Sequence, residues 1–182
     1  LWPEIPPLTD LPGHMGRYRV MLGTDPALDQ WYRFEWRLVG NLGVDLFVYA
    51  VAPLIGLELA VKLAVIVTVA LSASGIMLVA REAHGRMTPF ALFALPVVYN
   101  YAFNFGFVNF ALSMALALNA FALWLWLGRT GRIGLRATLF VPLACLIWLT
   151  HAMGWGALGV MVFGAELARQ RTERPEPRSL HP

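Results

Sequence analysis

The chain has 182 residues, of which 58% are hydrophobic and only 14% are charged, with a formal net charge of +3. A soluble domain averages about 45–50% apolar and about 25% charged residues, so this composition excludes an ordinary soluble protein and indicates a membrane protein. The basic residues cluster in short loops between apolar runs, a distribution that membrane topology explains. We therefore predict no nucleic-acid partner.

Residues 1–41 are predicted to form an outer-face loop with amphipathic and interfacial segments. The prolines within residues 1–12 favour an extended linker, because proline fixes φ and has no N–H donor. Thr9 or Asp10 can cap an amphipathic helix that runs to about Met21. Residues 31–38 alternate apolar and charged side chains. This period of two predicts an extended segment that is re-entrant or lies at the membrane surface.

Residues 42–168 are predicted to form an all-α membrane helix bundle with about five inserted segments, some of them short. A membrane-spanning helix needs about 20 apolar residues. Leu57–Ala80 and Phe110–Leu127 approach or exceed this length, whereas Leu42–Ile55 and Thr88–Tyr99 are shorter and contain proline. The sequence therefore predicts a polytopic membrane protein that combines full spans with half-inserted or interfacial helices.

The last apolar stretch allows two interpretations. A break at Thr150–Trp155, where two glycines permit a turn, gives the helices Leu139–Leu149 and Gly156–Leu167. One continuous helix over 139–168 would be about 45 Å long, against a bilayer core of about 30 Å. We therefore predict the break.

Arginine clusters indicate the topology, because short loops rich in Lys and Arg stay on the cytoplasmic side. The clusters consist of Arg81 and Arg86; of Arg129, Arg132 and Arg136; and of Arg169, Arg171, Arg174 and Arg178. All three fit one side if the runs between them are hairpins, and residues 169–182 are then a cytoplasmic basic tail. Residues 1–41, the stretch Asn100–Asn109 and His151 meet at the opposite, outer side. Four further arginines lie in the segment assigned to the outer side and count against this topology: Arg17, Arg19, Arg33 and Arg37.

Polar side chains that could do chemistry are predicted to converge on this outer face. They are Asp10, His14, Arg17, Arg19, Asn100, Tyr101, Asn104, Asn109, His151 and Trp155, and together they could line one cavity. A carboxylate in a partly desolvated site can take a proton from an attacking hydroxyl, which makes Asp10 a candidate general base. Capping of the helix that begins at Leu11 is a sufficient alternative role for Asp10.

Three basic residues follow Asp10 on the predicted helix. His14 lies one turn along, on the same face, where it can orient Asp10 or, when charged, bind a phosphate. Arg17 and Arg19 can hold a phosphate bidentately, or they can contact lipid headgroups. Asp10 and His14 together resemble half a metal site, but no third ligand is evident. We therefore predict no metal and no cofactor.

The remaining candidates lie in aromatic or apolar surroundings. Asn100 and Asn104 suit recognition of sugar hydroxyls, and they equally suit a turn held by side-chain-to-backbone hydrogen bonds. His151 interrupts an apolar stretch, where ionisable groups are costly and often functional unless a turn brings them to the interface. Asp45 and Glu58 carry the same two alternatives.

The stretch from Pro7 to Arg17, with the sequence PLTDLPGHMGR, resembles the first outer loop of bacterial polytopic membrane proteins related to the GT-C fold glycosyltransferases. Residues 41–45 and 56–63 resemble the segment that follows this loop, and residues 149–151 resemble a break between two short helices. The resemblance implies that Asp10 acts as the base or positions the acceptor. It also implies that His14 and Arg17 are the polar positions that follow.

This resemblance implies the N-terminal part of a glycosyltransferase of the bacterial inner membrane, with its site facing outward. Its partners would be membrane lipid and a polyprenyl-phosphate sugar donor. Arg17 or Arg19 would stabilise the leaving phosphate, while Asn104 and His151 would bind sugar or phosphate. A transmembrane helix is expected before this piece, and further helices and an outer domain after it.

Two other functions are compatible with the same residues. In a non-catalytic membrane subunit or lipid-binding scaffold, residues 31–38 and the arginines would only anchor the chain at lipid headgroups. In a transporter, Asp45, Glu58 and His151 would lie on a proton or ion path. Geometry distinguishes these alternatives, since an enzyme needs Asp10, His14 and His151 around one cavity.

Overall fold

A computed structural model of the chain describes residues 3–173, which form helices and no strand. The elements are α1 (Leu11–Leu22), α2 (Pro26–Asp29), α3 (Gly43–Ile55), α4 (Leu57–His84), a 3-10 helix (Pro89–Tyr99), α5 (Tyr101–Phe105), α6 (Val108–Arg129), α7 (Ile133–Thr150) and α8 (Ala152–Glu173). The predicted all-α class is confirmed. The last part of the predicted basic tail, with Arg174 and Arg178, lies outside the described residues.

Three of these helices, α4, α6 and α7, are long and apolar enough to cross a membrane. They make the chain an integral membrane protein with three candidate spans. The helix α3 has 13 residues and the 3-10 helix has 11. At 1.5 Å per residue, α3 is only about 20 Å long. The larger number of about five inserted segments stays a prediction.

Helices α4 and α6 run in the same direction along the bundle. The Ser74 hydroxyl donates a hydrogen bond to Asn119 Oδ1 at 3.0 Å, and Glu82, further along α4, forms an ion pair with Arg129 at the end of α6. The chain must therefore return between the two helices, and the 3-10 helix does so. It rises about 2.0 Å per residue, so its 11 residues cover about 22 Å. Pro96, which lacks an N–H donor, lies inside it.

The buried residues form two hydrophobic clusters. The first joins α1, α3, the first half of α4 and the start of α6, and the second joins α6, α7 and α8. Helix α1 buries Leu11, Met15, Tyr18 and Met21. This spacing of three and four residues places all four on one helical face. Its polar residues are therefore held in fixed positions against the membrane helices.

A single residue, His151, separates α7 from α8. The predicted break is present but narrower than Thr150–Trp155, and both helices extend beyond their predicted bounds. The polar backbone groups at the break are satisfied by the segment that precedes α3. Leu42 N–H donates to Leu149 O at 2.8 Å, and Ala152 N–H donates to Gly40 O at 3.0 Å. The broken helix thus keeps its hydrogen bonds by pairing with a distant part of the chain.

The arginine clusters meet at one end of the bundle. Glu82 forms ion pairs with Arg81 and Arg129. Glu166 pairs with Arg136 at 2.9 Å and with Arg169 at 2.8 Å. Because the Arg136–Glu166 pair spans the break at residue 151, α7 and α8 form an antiparallel hairpin. The described arginines of the three clusters share one end, as the sequence predicts. The side of the membrane that this end faces stays a prediction.

Candidate functional site

At the opposite end of the bundle, the N-terminal segment lies against the turn that precedes α6. Thr9 N–H donates to Asn104 O at 3.2 Å, and Asp10 N–H donates to Phe105 O at 2.8 Å. Gly106 has a φ of 104°, and a Cβ added there would lie 2.9 Å from the backbone nitrogen of Asp10. Only glycine combines this backbone conformation with such a close approach. The backbone around Gly106 therefore fixes the position of Asp10.

The Asp10 side chain contacts His14. Asp10 occupies the N-cap position of α1, but its carboxylate accepts no capping hydrogen bond. Capping is therefore not the role of this side chain. Instead, Asp10 Oδ2 lies 3.5 Å from His14 Nε2, as the spacing of four residues allows. The His14 ring also stacks on the buried ring of Tyr18, with 6.2 Å between ring centroids.

Burial sets the protonation state of His14. Desolvation lowers the pKa of His14 below its ordinary value of 6.5, although the Asp10 carboxylate raises it, and the Arg17 guanidinium lowers it further. The imidazole is therefore predominantly neutral at pH 7. A neutral imidazole beside a carboxylate can accept a proton.

A second imidazole, that of His151, approaches from the α7–α8 break. His151 Nδ1 accepts a hydrogen bond from Met153 N–H at 3.2 Å. In the neutral ring the proton is then on Nε2, which makes Nε2 a donor. The ring packs edge-to-face on Phe110, with centroids 5.7 Å apart. Desolvation lowers the pKa of His151 below 6.5, so this donor is also neutral at pH 7.

One cavity of about 510 Å³ brings these groups together. Its lining consists of Asp10, His14, Asn41, Ala102, Phe107, Val108, Asn109, Phe110 and His151. We call it the dyad cavity, after the Asp10–His14 pair. Its size lies within the range of small-molecule sites, about 300–1,000 Å³. The cavity offers a carboxylate, two imidazoles and aromatic walls to a polar substrate.

A buried polar network forms the inner wall of the dyad cavity. Asn109 Nδ2 donates to Asp45 Oδ2 at 2.9 Å and to Asn41 O at 3.1 Å. Asn109 Oδ1 accepts from Val44 N–H at 2.6 Å. Asp45 is fully buried and forms an ion pair with Arg17. The network ties α1, α3 and α6 together, and it satisfies a carboxylate that would otherwise be very costly to bury.

The other predicted site residues lie outside the dyad cavity. Arg17 is bound to Asp45, and Arg19 pairs with Glu58 at 3.1 Å on the far side of α1 from the cavity lining. Asn100 Oδ1 accepts from the N–H of Phe103 as the cap of α5, at 3.1 Å. These three residues thus have structural partners of their own.

Asn104 also makes a structural contact, since its Nδ2 donates to Tyr99 O at 2.6 Å. The alternative of a turn held by side-chain-to-backbone hydrogen bonds therefore describes Asn100 and Asn104 well. Sequence reasoning did not single out Asn41 as a site residue. It placed Asn109 among the outer-face residues of the polar turn, and did not predict that the Asn109 amide bonds the carboxylate of Asp45, 64 residues away.

The two acidic residues that a transport path would use do not face each other. Asp45 pairs with Arg17 and Glu58 with Arg19, so α1 provides an arginine to each. Within residues 3–173, no three His, Cys, Asp or Glu side chains are grouped to hold a metal ion.

Comparisons with protein families, with curated proteins and with solved structures gave no match to this chain.

Proposed function

We propose that this chain is part of a membrane glycosyltransferase that moves a sugar from a lipid-phosphate donor to a hydroxyl acceptor. The observation that carries the proposal is the meeting of Asp10, His14 and His151 around one cavity of about 510 Å³. Asp10 and His14 lie at the start of α1, and His151 lies at the break between α7 and α8. His14 and His151 are 137 residues apart in the chain. The cavity lies at the end of an apolar bundle, where a membrane-bound donor and a polar acceptor can meet.

The proposed reaction is a displacement at the anomeric carbon. The acceptor oxygen forms a bond to that carbon, while the bond from the carbon to the phosphate oxygen breaks and the lipid phosphate leaves. Asp10 takes the acceptor proton, and His14, 3.5 Å from its carboxylate, orients the carboxylate or shares the proton. General base catalysis of this kind contributes roughly 10²–10⁴-fold to a rate.

His151 has a different role in this proposal. Its Nε2 donor makes no hydrogen bond within residues 3–173, since Nδ1 is the atom that bonds the backbone. A neutral donor in a partly desolvated cavity can bind a hydroxyl of the sugar or an oxygen of the phosphate. Asn109 has its amide occupied by Asp45, Asn41 and Val44, so it holds the wall in place without binding substrate through those atoms.

The test is Asp10→Asn in the full-length protein, assayed for transfer of a radiolabelled sugar from polyprenyl phosphate. We expect activity to fall by roughly 10²–10⁴-fold, because the amide cannot accept the proton. Asp29→Asn is the matched control, since Asp29 is an exposed acid at the end of α2 that does not line the dyad cavity. Wild-type transfer by Asp10→Asn would remove Asp10 from the mechanism.

The second candidate is a non-catalytic lipid-binding subunit. It is favoured by a second cavity beside α1 that is lined by three arginines and by apolar side chains. The full-length wild-type protein would then retain lipid but transfer no sugar. The same assay distinguishes the two functions before any variant is made.

A further inference from the structure

The second cavity lies between α1 and the segment that connects α2 to α3. It has a volume of about 720 Å³ and is lined by Gly13, Gly16, Arg17, Val20, Leu28, Tyr32, Arg33, Phe34, Glu35, Arg37, Val39, Asn41 and Leu42. We call it the arginine groove. Its lining combines three guanidinium groups with a largely aliphatic and aromatic wall, an unusual pairing for a surface that only faces water.

The groove carries an uncompensated positive charge. Asp45 balances Arg17, and Glu35 balances Arg37 at 2.9 Å. Arg33 has no ion-pair partner within residues 3–173, and its side chain is exposed. Within the described residues, Arg33 therefore offers the groove an unpaired guanidinium, a group that binds phosphate bidentately.

Arg17 holds the two walls of the groove together. Its guanidinium lies 5.7 Å from the ring centroid of Phe34, on one wall, while the same group is bound to Asp45. A cation stacked on an aromatic ring is stabilised by the ring quadrupole. The groove is thus a preformed surface, and Arg33 and Arg37 belong to the wall that the segment between α2 and α3 provides.

The surroundings of the groove favour a lipid over a free anion. Trp31, Trp36 and Leu38 are exposed beside it, with 81%, 46% and 80% of their surfaces accessible. Trp and Tyr accumulate at the headgroup layer of a bilayer, where one end of the side chain is apolar and the other wet. The predicted surface-lying segment therefore places the arginines at headgroup depth.

We propose that the arginine groove binds the phosphate headgroup of a phosphorylated membrane lipid, with the lipid chain along its apolar wall. Asn41 lines both the groove and the dyad cavity. The groove and the dyad cavity therefore adjoin, and a lipid phosphate in the groove lies next to the cavity that holds Asp10 and His14. This inference rests on the proposed function, in which the phosphorylated lipid is the sugar donor, and assigns the donor its own surface.

The experiment measures lipid retention without turnover. The purified full-length protein is titrated in nanodiscs with polyprenyl phosphate, with the neutral polyprenol of the same chain length and with inorganic phosphate as a competitor. We expect polyprenyl phosphate to bind at least about tenfold more tightly than polyprenol, because the charged headgroup supplies the hydrogen bonds to arginine. Millimolar inorganic phosphate should leave the lipid bound, since it lacks the chain.

The variant is Arg33→Gln/Arg37→Gln, and we expect it to bind polyprenyl phosphate about tenfold more weakly. Its matched control is Arg86→Gln/Arg171→Gln, which removes the same charge from exposed residues at the other end of the bundle and should bind as wild type does. Equal weakening in both variants would show a non-specific charge effect and overturn the proposal. Equal binding of polyprenol, or displacement by inorganic phosphate, would also overturn it.

Asp10→Asn separates this inference from the proposed function. The variant should lose sugar transfer but bind polyprenyl phosphate normally. If Asp10→Asn loses transfer while Arg33→Gln/Arg37→Gln binds lipid as wild type does, only the groove assignment fails. If Asp10→Asn transfers sugar normally while the arginine variant loses lipid, only the catalytic proposal fails.

Discussion

His14 is the residue whose protonation reports most directly on the dyad cavity. Desolvation lowers its pKa, and the two charged neighbours act in opposite directions. We therefore expect Asp10→Asn to lower the His14 pKa further and Arg17→Gln to raise it. Titration of the His14 Cε1–H signal by NMR measures both changes. A His14 pKa at 6.5 or above in the wild-type protein would contradict the buried geometry.

The lowered pKa of His14 also makes the stability of the folded protein sensitive to acid. The unfolded chain protonates His14 near pH 6.5, whereas the folded protein does so only at a lower pH. The unfolded state thus binds more protons below pH 6.5, and the free energy of unfolding falls as the pH drops towards the folded pKa. The melting temperature between pH 8 and pH 5.5 should fall less in His14→Gln than in the wild type. A steeper fall of the melting temperature in the variant would contradict this prediction, because it would show that protonation of His14 stabilises the folded protein.

For single residues, the sequence predicted contacts within one helix better than contacts between helices. The Asp10–His14 pair follows from a spacing of four residues, and the structure has it at 3.5 Å. The partner of Arg17 could not be predicted in this way, because Asp45 lies in another helix, and its burial depends on how α1 packs. Asn109 was predicted to line the outer cavity, as it does. The role of Asn41 and the hydrogen-bond partners of Asn109 were missed for the same reason, since these polar contacts join different elements.

Among the elements, the junction of α6 and α8 depends on one glycine. A Cβ on Gly154 would lie 2.6 Å from the backbone carbonyl atoms of Ser113, whereas a Cβ on Gly156 would meet nothing within 4 Å. Because a helix backbone cannot yield as a flexible side chain can, Gly154→Ala should separate the two helices.

We expect Gly154→Ala to lower the free energy of unfolding by about 1–3 kcal/mol. Gly156→Ala, in the same helix, should raise it by about 0.5–1 kcal/mol, because alanine has the higher helix propensity. Denaturation of both variants in one detergent measures the difference. Equal stability of the two variants would show that α6 and α8 do not approach as closely as described.

The elements themselves were predicted from length and breakers, with errors where tertiary packing decides. The break between α7 and α8 was expected, but the two glycines predicted to form its turn, Gly154 and Gly156, lie inside α8. The width of the break was not predicted, because the hydrogen bonds to Gly40 and Leu42 allow a single extended residue to suffice. The return of the chain through a 3-10 helix was also not predictable from apolar length alone.

For the whole molecule, the positive-inside rule assigns the arginine end to the cytoplasm and the dyad cavity to the outside. Two single-cysteine variants in a Cys145→Ala background test this assignment. Tyr101→Cys places a thiol at the cavity end, where Tyr101 is 78% exposed, and Thr130→Cys places one at the exposed arginine end. A membrane-impermeant maleimide should label Tyr101→Cys in intact cells and Thr130→Cys only after permeabilisation. The reverse pattern would place the cavity in the cytoplasm.

The single residue between α7 and α8 has a mechanical consequence. A hairpin changes its tilt when the thickness of the surrounding bilayer changes. In this hairpin the far ends are clamped by Glu166 and Arg136, and His151 is the pivot at the near end. The pivot also carries the imidazole that lines the dyad cavity. We therefore expect a change in the tilt of the hairpin to move this wall of the cavity, which would link the shape of the site to the thickness of the surrounding membrane.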